Sequence, residues 1–383
     1  MQLPKLFRLC LILCIGVLIQ FPLFAQKADF EENLQQLIKK HEAVGLSIVV
    51  VKKGKPIFSK SYGFKDLENQ IALSNTDLFR IASISKSFSA TTIMQLVEEG
   101  KLKLSDDFSD LVGFKVRNPK YPNTIITLEM VLSHRSSTND SNGYFTFDVL
   151  DPTKNPNWEK SYNNYEPGSQ YEYCNLNFNM VGAVIERISG ERFDLYVKKQ
   201  VLDPLGLKAG FCVDSLDKNR FVKLYERVSG KYEEQPAAYN SRSEEVRNHV
   251  LGKTTPIFSP TGGLKISAND LATYMLMHMN YGRLGKTRLI SKKSSKQMQT
   301  PLSAKENYGL ALLESNDLIA NKTMVGHTGS AYGLYSNMFF HPKEKFGFIV
   351  ITNGCIPSYV EEGETLKFSK EVINLLYENF IKK

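Results

Sequence analysis

In the stretch from Phe79 to Gly100, FRIASISKSFSATTIMQLVEEG, the apolar residues Phe88, Ile93, Met94, Leu96 and Val97 recur at helical spacing among small polar ones. The pattern predicts a helix that starts near Ser83 and is closed by Gly100. Upstream, Phe30, Leu34, Leu37 and Ile38 give the segment from Asp29 to His41 one apolar side, so an amphipathic helix is expected there. It leads into GLSIVVVKKGKPIFSKSYG, two β-rich runs around Lys53-Gly54 that form a hairpin pattern. A helix followed by a hairpin points to an antiparallel sheet with a helix on its face.

The texture changes after Lys101. Short helical patterns from Leu128 to Ser133, Leu176 to Ser189 and Phe193 to Leu202 alternate with long polar connections, and strand-like runs are scarce. Residues from about 101 to 256 are therefore expected to form a mostly helical inserted subdomain. Its longest connection, Thr138 to Gly168, is expected at the rim of a site, because a connection of that length without structure is uncommon elsewhere. Strand character returns near Gly262. Ser267 with Asp270 resembles a capping box opening a helix from Ala268 to Tyr281, closed by Gly282. β-rich runs follow at Tyr308 to Leu313, Lys322 to His327, Tyr335 to Phe340 and Phe346 to Thr352, and a last helix is expected from about Glu364 to Ile381. The fold class that results is α+β, an antiparallel sheet flanked by helices.

Charge and composition narrow the setting. Lys5 and Arg8 precede an apolar run from Leu9 to Ile19 that is broken by Gln20 and Pro22, and Ala25 offers a small residue for cleavage before Gln26. Residues 1–25 are accordingly expected to be a secretory signal, with an uncleaved anchor as the alternative, and residues 26–383 a single domain that is periplasmic or secreted. Removing the signal lowers the formal charge from +8 to +6. The remaining Lys and Arg are scattered among acids, which argues against nucleic acid as partner. Cys174, Cys212 and Cys355 are an odd count at wide spacing and give neither a disulfide framework nor a zinc pattern. At most one bridge could form.

Ser83 and Lys86 carry the first chemical signal. Residues three apart on a helix are surface neighbours, so a hydroxyl and an amine would face the same way. A serine attacks only when something takes its proton, and a lysine can do so only if burial or nearby positive charge pulls its pKa down from about 10.4. The S-x-x-K pattern recurs from Ser215 to Lys218 without a helix to order it, and Ser83 would serve equally as an N-cap beside a solvated Lys86. Two more motifs follow in order: Tyr173-Cys174-Asn175 before the helical run NLNFNMVGAVIERISG, and His327-Thr328-Gly329 at the end of a predicted strand. Y-x-N also occurs at Tyr121, Tyr162, Tyr335 and Tyr377, whereas H-T-G occurs once.

The order S-x-x-K, Y-x-N and H/K-T-G resembles the serine β-lactamase and penicillin-binding superfamily, most closely its class C β-lactamase, D-alanyl-D-alanine carboxypeptidase and esterase branch. The segment PGSQYEYCNLNFNMVGAVIERISG, the run LSHRSS at Leu132 to Ser137 and the run SPTGGLKISANDLATYM at Ser259 to Met275 support it, and the likeness extends from about Gly45 to Gly354. The resemblance implies that Ser83 is the acylating nucleophile, Lys86 its proton partner and Tyr173 the base for Ser83 and later for water. It implies that Asn175 holds Lys86 and donates to the substrate. The N–H groups of Ser83 and Ser330 would form an oxyanion hole, and His327, Thr328 and Gly329 would line the substrate strand. Three departures stand out: His327 where lysine is usual, Cys174 where serine or alanine is common, and Arg135-Ser136-Ser137 where threonine, serine and glycine are common. A mostly uncharged His327 would capture a substrate carboxylate weakly, and Cys174 is expected to be inert. The expectation is an exported serine hydrolase, without metal or cofactor, acting as a monomer on a small-molecule or peptidoglycan-derived substrate. Membrane contact would come only through an uncleaved signal. β-Lactams and D-alanyl-D-alanine peptides rank about level, with small esters close behind; a penicillin-binding receptor that does not turn over is the alternative.

Overall fold

The computed structural model describes residues 29–303, 306–360 and 365–382. The expected signal, residues 1–25, lies outside them. Seven strands form one antiparallel sheet: β1 (Gly45–Lys52), β2 (Lys55–Asp66), β3 (Ile71–Ala72), β4 (Leu313–Ile319), β5 (Lys322–Ala331), β6 (Leu334–His341) and β7 (Phe346–Thr352), in the order β4-β5-β6-β7-β1-β2-β3. The β1–β2 turn is tight because Lys53 and Gly54 both take positive φ, 53° and 72°, the geometry that matches strand twist in a two-residue hairpin.

Both faces of the sheet are covered, which is why β1 carries the continuous apolar run Ile48 to Val51. Leu46, Ile48 and Val50 pack with Phe30 and Leu34 of helix α1 (residues 29–40) and with Phe368, Val372 and Leu376 of the C-terminal helix. Val49 and Val51 face the other way, into a larger core shared with helix α2 (Ser85–Glu98), helix α3 (Asn175–Ser189) and helix α4 (Ala268–Met279). Gly100, at φ 71°, follows α2, and Ser267 caps α4 by accepting from the Asp270 N–H at 3.1 Å. The C-terminal helix, α5, spans Lys367–Leu376 and ends in a wider turn, Tyr377–Ile381; the expected start at Glu364 lies outside the described residues.

Between α2 and α4 the chain is built mainly of short helical turns, with one two-stranded hairpin, Tyr225–Val228 with Lys231–Glu234, that periodicity did not reveal. Its turn, Ser229-Gly230, again has positive φ at both residues. Two strand assignments need correction. The run from Tyr308 is not a strand: Asn307 and Ala311 take left-handed φ of 48° and 59°, so Tyr308 to Leu312 is a buried irregular segment and β4 begins at Leu313. Nor does β5 stop at His327. It runs on to Ala331, and His327 to Ala331 pair with β6 while β4 leaves β5 at Gly326. One edge of β5 is thus unpaired by strand over the H-T-G motif.

Candidate active site

The residues around Ser83 are fixed from two sides. Phe79-Arg80 pairs with Lys265-Ile266 in a short antiparallel ladder, and the Ile81 carbonyl accepts from Ser336 Oγ of β6 at 2.8 Å. Between these anchors Ala82 takes φ 49°, left-handed for a residue with a side chain. Ser83 sits in the 3₁₀ turn Ala82–Ile84, so α2 begins two residues later than the pattern suggested, and no side chain caps either N-terminus. Ser83 is therefore not an N-cap. It is half-buried and lines a cavity of about 550 Å³.

Lys86, in the first turn of α2, is fully buried. Its Nζ lies 3.0 Å from Ser83 Oγ, 2.9 Å from Asn175 Oδ1 and 3.0 Å from the Thr261 carbonyl. Burial pulls its pKa from 10.5 to about 7, and the nearby Asp140 opposes the shift. As an ammonium Lys86 donates to all three; Asn175 Oδ1 and the Thr261 carbonyl only accept, so once neutral the amine gives them its two N–H groups and turns its lone pair to the Ser83 hydroxyl. The Tyr173 ring lies beside this amine, its centroid 4.7 Å from Nζ.

Asn175 can face Lys86 with its oxygen because its amide nitrogen is held elsewhere. Nδ2 donates to Asp140 Oδ2 at 2.9 Å, and the same carboxylate accepts the N–H groups of Asn175 and Leu176 at 2.8 and 2.9 Å. Asp140 thus caps α3 from a loop and fixes the amide in one step. Cys174 precedes it, buried, with a thiol pKa raised chiefly by burial, as an unreactive thiol requires. Its N–H donates to Nδ1 of His134 at 3.1 Å, which fixes the His134 tautomer, and burial holds that imidazole well below its usual pKa. The altered loop explains itself in part. Ser137, where glycine was expected, takes φ 65°, and Arg135 ties the loop to the Gly168 carbonyl through its guanidinium.

On β5 the His327 ring is turned into the protein, 2% exposed. Nδ1 donates to the Thr328 carbonyl at 2.5 Å, so Nε2 must accept from the Tyr308 hydroxyl at 2.9 Å. Burial, reinforced by the positive charge of Lys86, pushes its pKa down to about 3. His327 is neutral at any ordinary pH. Gly329 is needed for close approach: a Cβ there would lie 2.3 Å from the Ile81 carbonyl and 3.1 Å from the Ser83 nitrogen. Strand β5 therefore lies against the Ser83 turn, and Thr328, Gly329 and Ser330 line the same cavity as Ser83, Tyr173 and Asn175.

The eight residues singled out in the sequence meet at this one place, whereas Ser215 and Lys218 fall in two separate 3₁₀ turns. Sequence reasoning missed Asp140, Thr261 and Tyr308. Thr261 acts through its backbone, and Asp140 caps a helix 35 residues further on, beyond any local capping pattern.

The chain is similar to known proteins in sequence and in fold. Protein flp of Staphylococcus aureus (strain MRSA252) is 23% identical over 356 residues, 88% of this chain and 66% of that protein. The chain thus spans about two thirds of the length of the curated relatives it matches. The octameric penicillin-binding protein homologue from Pyrococcus abyssi is 25% identical and superposes with a TM-score of 0.69 over 85% of this chain and 73% of the other. EstCE1, a hydrolase with promiscuous acyltransferase activity, is 18% identical with a TM-score of 0.71 over 92% of this chain and all of its own, a likeness of fold. The Beta-lactamase family model matches residues 30–369, and the chain belongs to the beta-lactamase family.

Proposed function

We propose that the protein is an exported serine hydrolase that opens an ester or amide through an acyl-enzyme on Ser83. The contact that carries this reading is the buried Lys86 amine, 3.0 Å from Ser83 Oγ, with both its N–H groups engaged by acceptors. Neutral Lys86 takes the hydroxyl proton as Oγ attacks the substrate carbonyl. The N–H groups of Ser83 and Ser330 receive the oxyanion, where one donor is worth roughly a hundredfold or more in rate. The leaving group takes the proton back, and water, deprotonated by Tyr173 with Lys86, then releases the acyl group. Asn175 keeps Lys86 aimed at Ser83, and Asp140 keeps Asn175 turned.

The neutral, buried His327 bears on substrate. Both β-lactams and D-alanyl-D-alanine peptides present a carboxylate, which a charged side chain beside Thr328 would attract; a neutral ring with both nitrogens engaged offers it no charge. Esters and amides without a carboxylate at that end therefore move ahead of the two classes that ranked first on sequence. Export rests on residues 1–25 of the sequence alone.

Intact-mass time courses test the proposal. A fluorophosphonate is expected to label the wild type once and to spare Ser83→Ala. With p-nitrophenyl acetate, a chromogenic cephalosporin and a D-alanyl-D-alanine peptide supplied separately, a transient adduct with many turnovers is expected on the ester. Label on another serine would refute the mechanism, and a stable adduct without turnover would mark a receptor.

A further inference from the structure

Behind the Ser83 cavity lies a second one of about 350 Å³, and the two share Arg80, Phe145, Ser259 and Tyr332 in their walls. The second chamber is lined by three cationic residues, Arg80, Arg242 and Lys265, and by no Asp or Glu among the described residues. Arg80 and Lys265 are directly opposed in the short ladder that precedes Ser83, so their side chains emerge on the same face. Like charges at such a position destabilise a strand pair, and among the described residues no carboxylate forms an ion pair with either. Among the described residues the Arg80 guanidinium donates to the Gly262 and Ala238 carbonyls and Ser259 Oγ, and it stacks on the Tyr332 ring at 5.1 Å. Lys265, 3% exposed, donates from Nζ to the Phe211 carbonyl at 2.7 Å.

The nearby carboxylates are committed elsewhere. Asp214 accepts from the Arg242 backbone N–H at 2.8 Å, and Glu245 pairs with the Arg242 guanidinium on the surface. Burial, then the positive charge of Arg80, holds the Lys265 ammonium well below its usual range; an arriving anion would supply the missing counter-charge. Neither cation touches Ser83 or Lys86, so the hydrolytic steps make no use of this charge.

We propose that the second chamber is a subsite for an anionic group, a carboxylate or a phosphate, borne by an arm of the substrate that extends past the stacked Arg80 and Tyr332, which line both cavities. The proposal rests on the hydrolase reading for the place of the reacting bond. Together with the neutral His327, it gives the cleft a polarity: no charge at the His327 end of β5, positive charge beyond the Tyr332 end.

The test uses p-nitrophenyl monoesters of straight-chain dicarboxylic acids from succinate to suberate, each against its ω-methyl ester, with an ω-phosphonate series as the second arm. At one chain length the anionic ester is expected to exceed its neutral partner in kcat/KM by about tenfold or more, the size of a charge-assisted contact, and the arm with the larger preference names the anion. Lys265→Met is expected to bring that ratio close to unity, and Arg242→Gln, a surface change that spares the core, to lower it part of the way. A ratio of one at every length in the wild type, or a ratio unmoved by both variants, would overturn the proposal. Should fluorophosphonate fail to label Ser83 and no ester turn over, the hydrolase reading fails instead. Calorimetric titration with adipate and with ω-phosphonohexanoate then decides: binding lost in Lys265→Met upholds the subsite, and no binding to the wild type refutes it.

Discussion

The pKa of about 7 that burial gives Lys86 sets a measurable limb on the rate of acylation. Only the neutral amine can accept the Ser83 proton, so a group titrating there is about one tenth active near pH 6 and about nine tenths active near pH 8. Acylation by p-nitrophenyl acetate, followed as a stopped-flow burst at constant ionic strength, is expected to rise about tenfold across that interval and to level off above it. Asp140→Asn supplies the second half of the experiment. The Asp140 charge raises the Lys86 pKa, so its removal moves the limb to lower pH, the sign opposite to that of a generally loosened site, in which Lys86 would regain water and titrate higher. The plateau is expected to fall as well, because the asparagine amide would meet the N–H groups of Asn175 and Leu176 that the carboxylate now accepts. A flat profile from about pH 6 to about pH 8, or an alkaline shift of the limb in Asp140→Asn, would refute the assignment of Lys86 as base.

Other expectations follow from the same contacts. Because the folded pKa of Lys86 is depressed, the unfolded chain binds the extra proton between pH 7 and pH 10.5, and stability rises with pH through that window. The penalty, roughly 5 kcal/mol, is complete below it, so Lys86→Met should abolish acylation yet melt no lower than the wild type near pH 6 by calorimetry. Gly329→Ala would set a methyl group 2.3 Å from the Ile81 carbonyl and drive β5 off the Ser83 turn; kcat/KM should fall by about a hundredfold or more, a cost known for displacements near 1 Å. Glu186, buried on α3, accepts from the N–H groups of Phe193 and Gly252, from His249 and from the Thr255 hydroxyl. Glu186→Gln turns an amide donor toward two of them, and denaturant melts should record a loss of roughly 2–5 kcal/mol with the Ser83 site still labelled by fluorophosphonate.

Much of this was legible because it is local. The Lys53-Gly54 hairpin, the apolar stripe of α2 and the Ser267 cap are written in neighbouring residues, whereas Ser83 with Lys86 stood apart from the second S-x-x-K match through the Y-x-N and H-T-G motifs that follow in order. What escaped was set by packing across long separations. Asp140 reaches α3 from a loop, and the β propensity of Tyr308 to Leu313 yields to the left-handed turns at Asn307 and Ala311 that bury Tyr308 against His327. The burial of His327 shared this cause, since a histidine near a strand end gives no sign of the tyrosine that will cover it.

Ala82 has a different lesson. Glycine could adopt its φ of 49° without strain, whereas a methyl group there costs roughly 1–2 kcal/mol in the folded state. The same methyl group removes many of the conformations open to glycine, and so lowers the entropy the turn can regain by letting go of its shape. Strain and stiffness come together at this residue. The residue preceding Ser83 thus restricts how far the hydroxyl can wander from Lys86 between one substrate and the next.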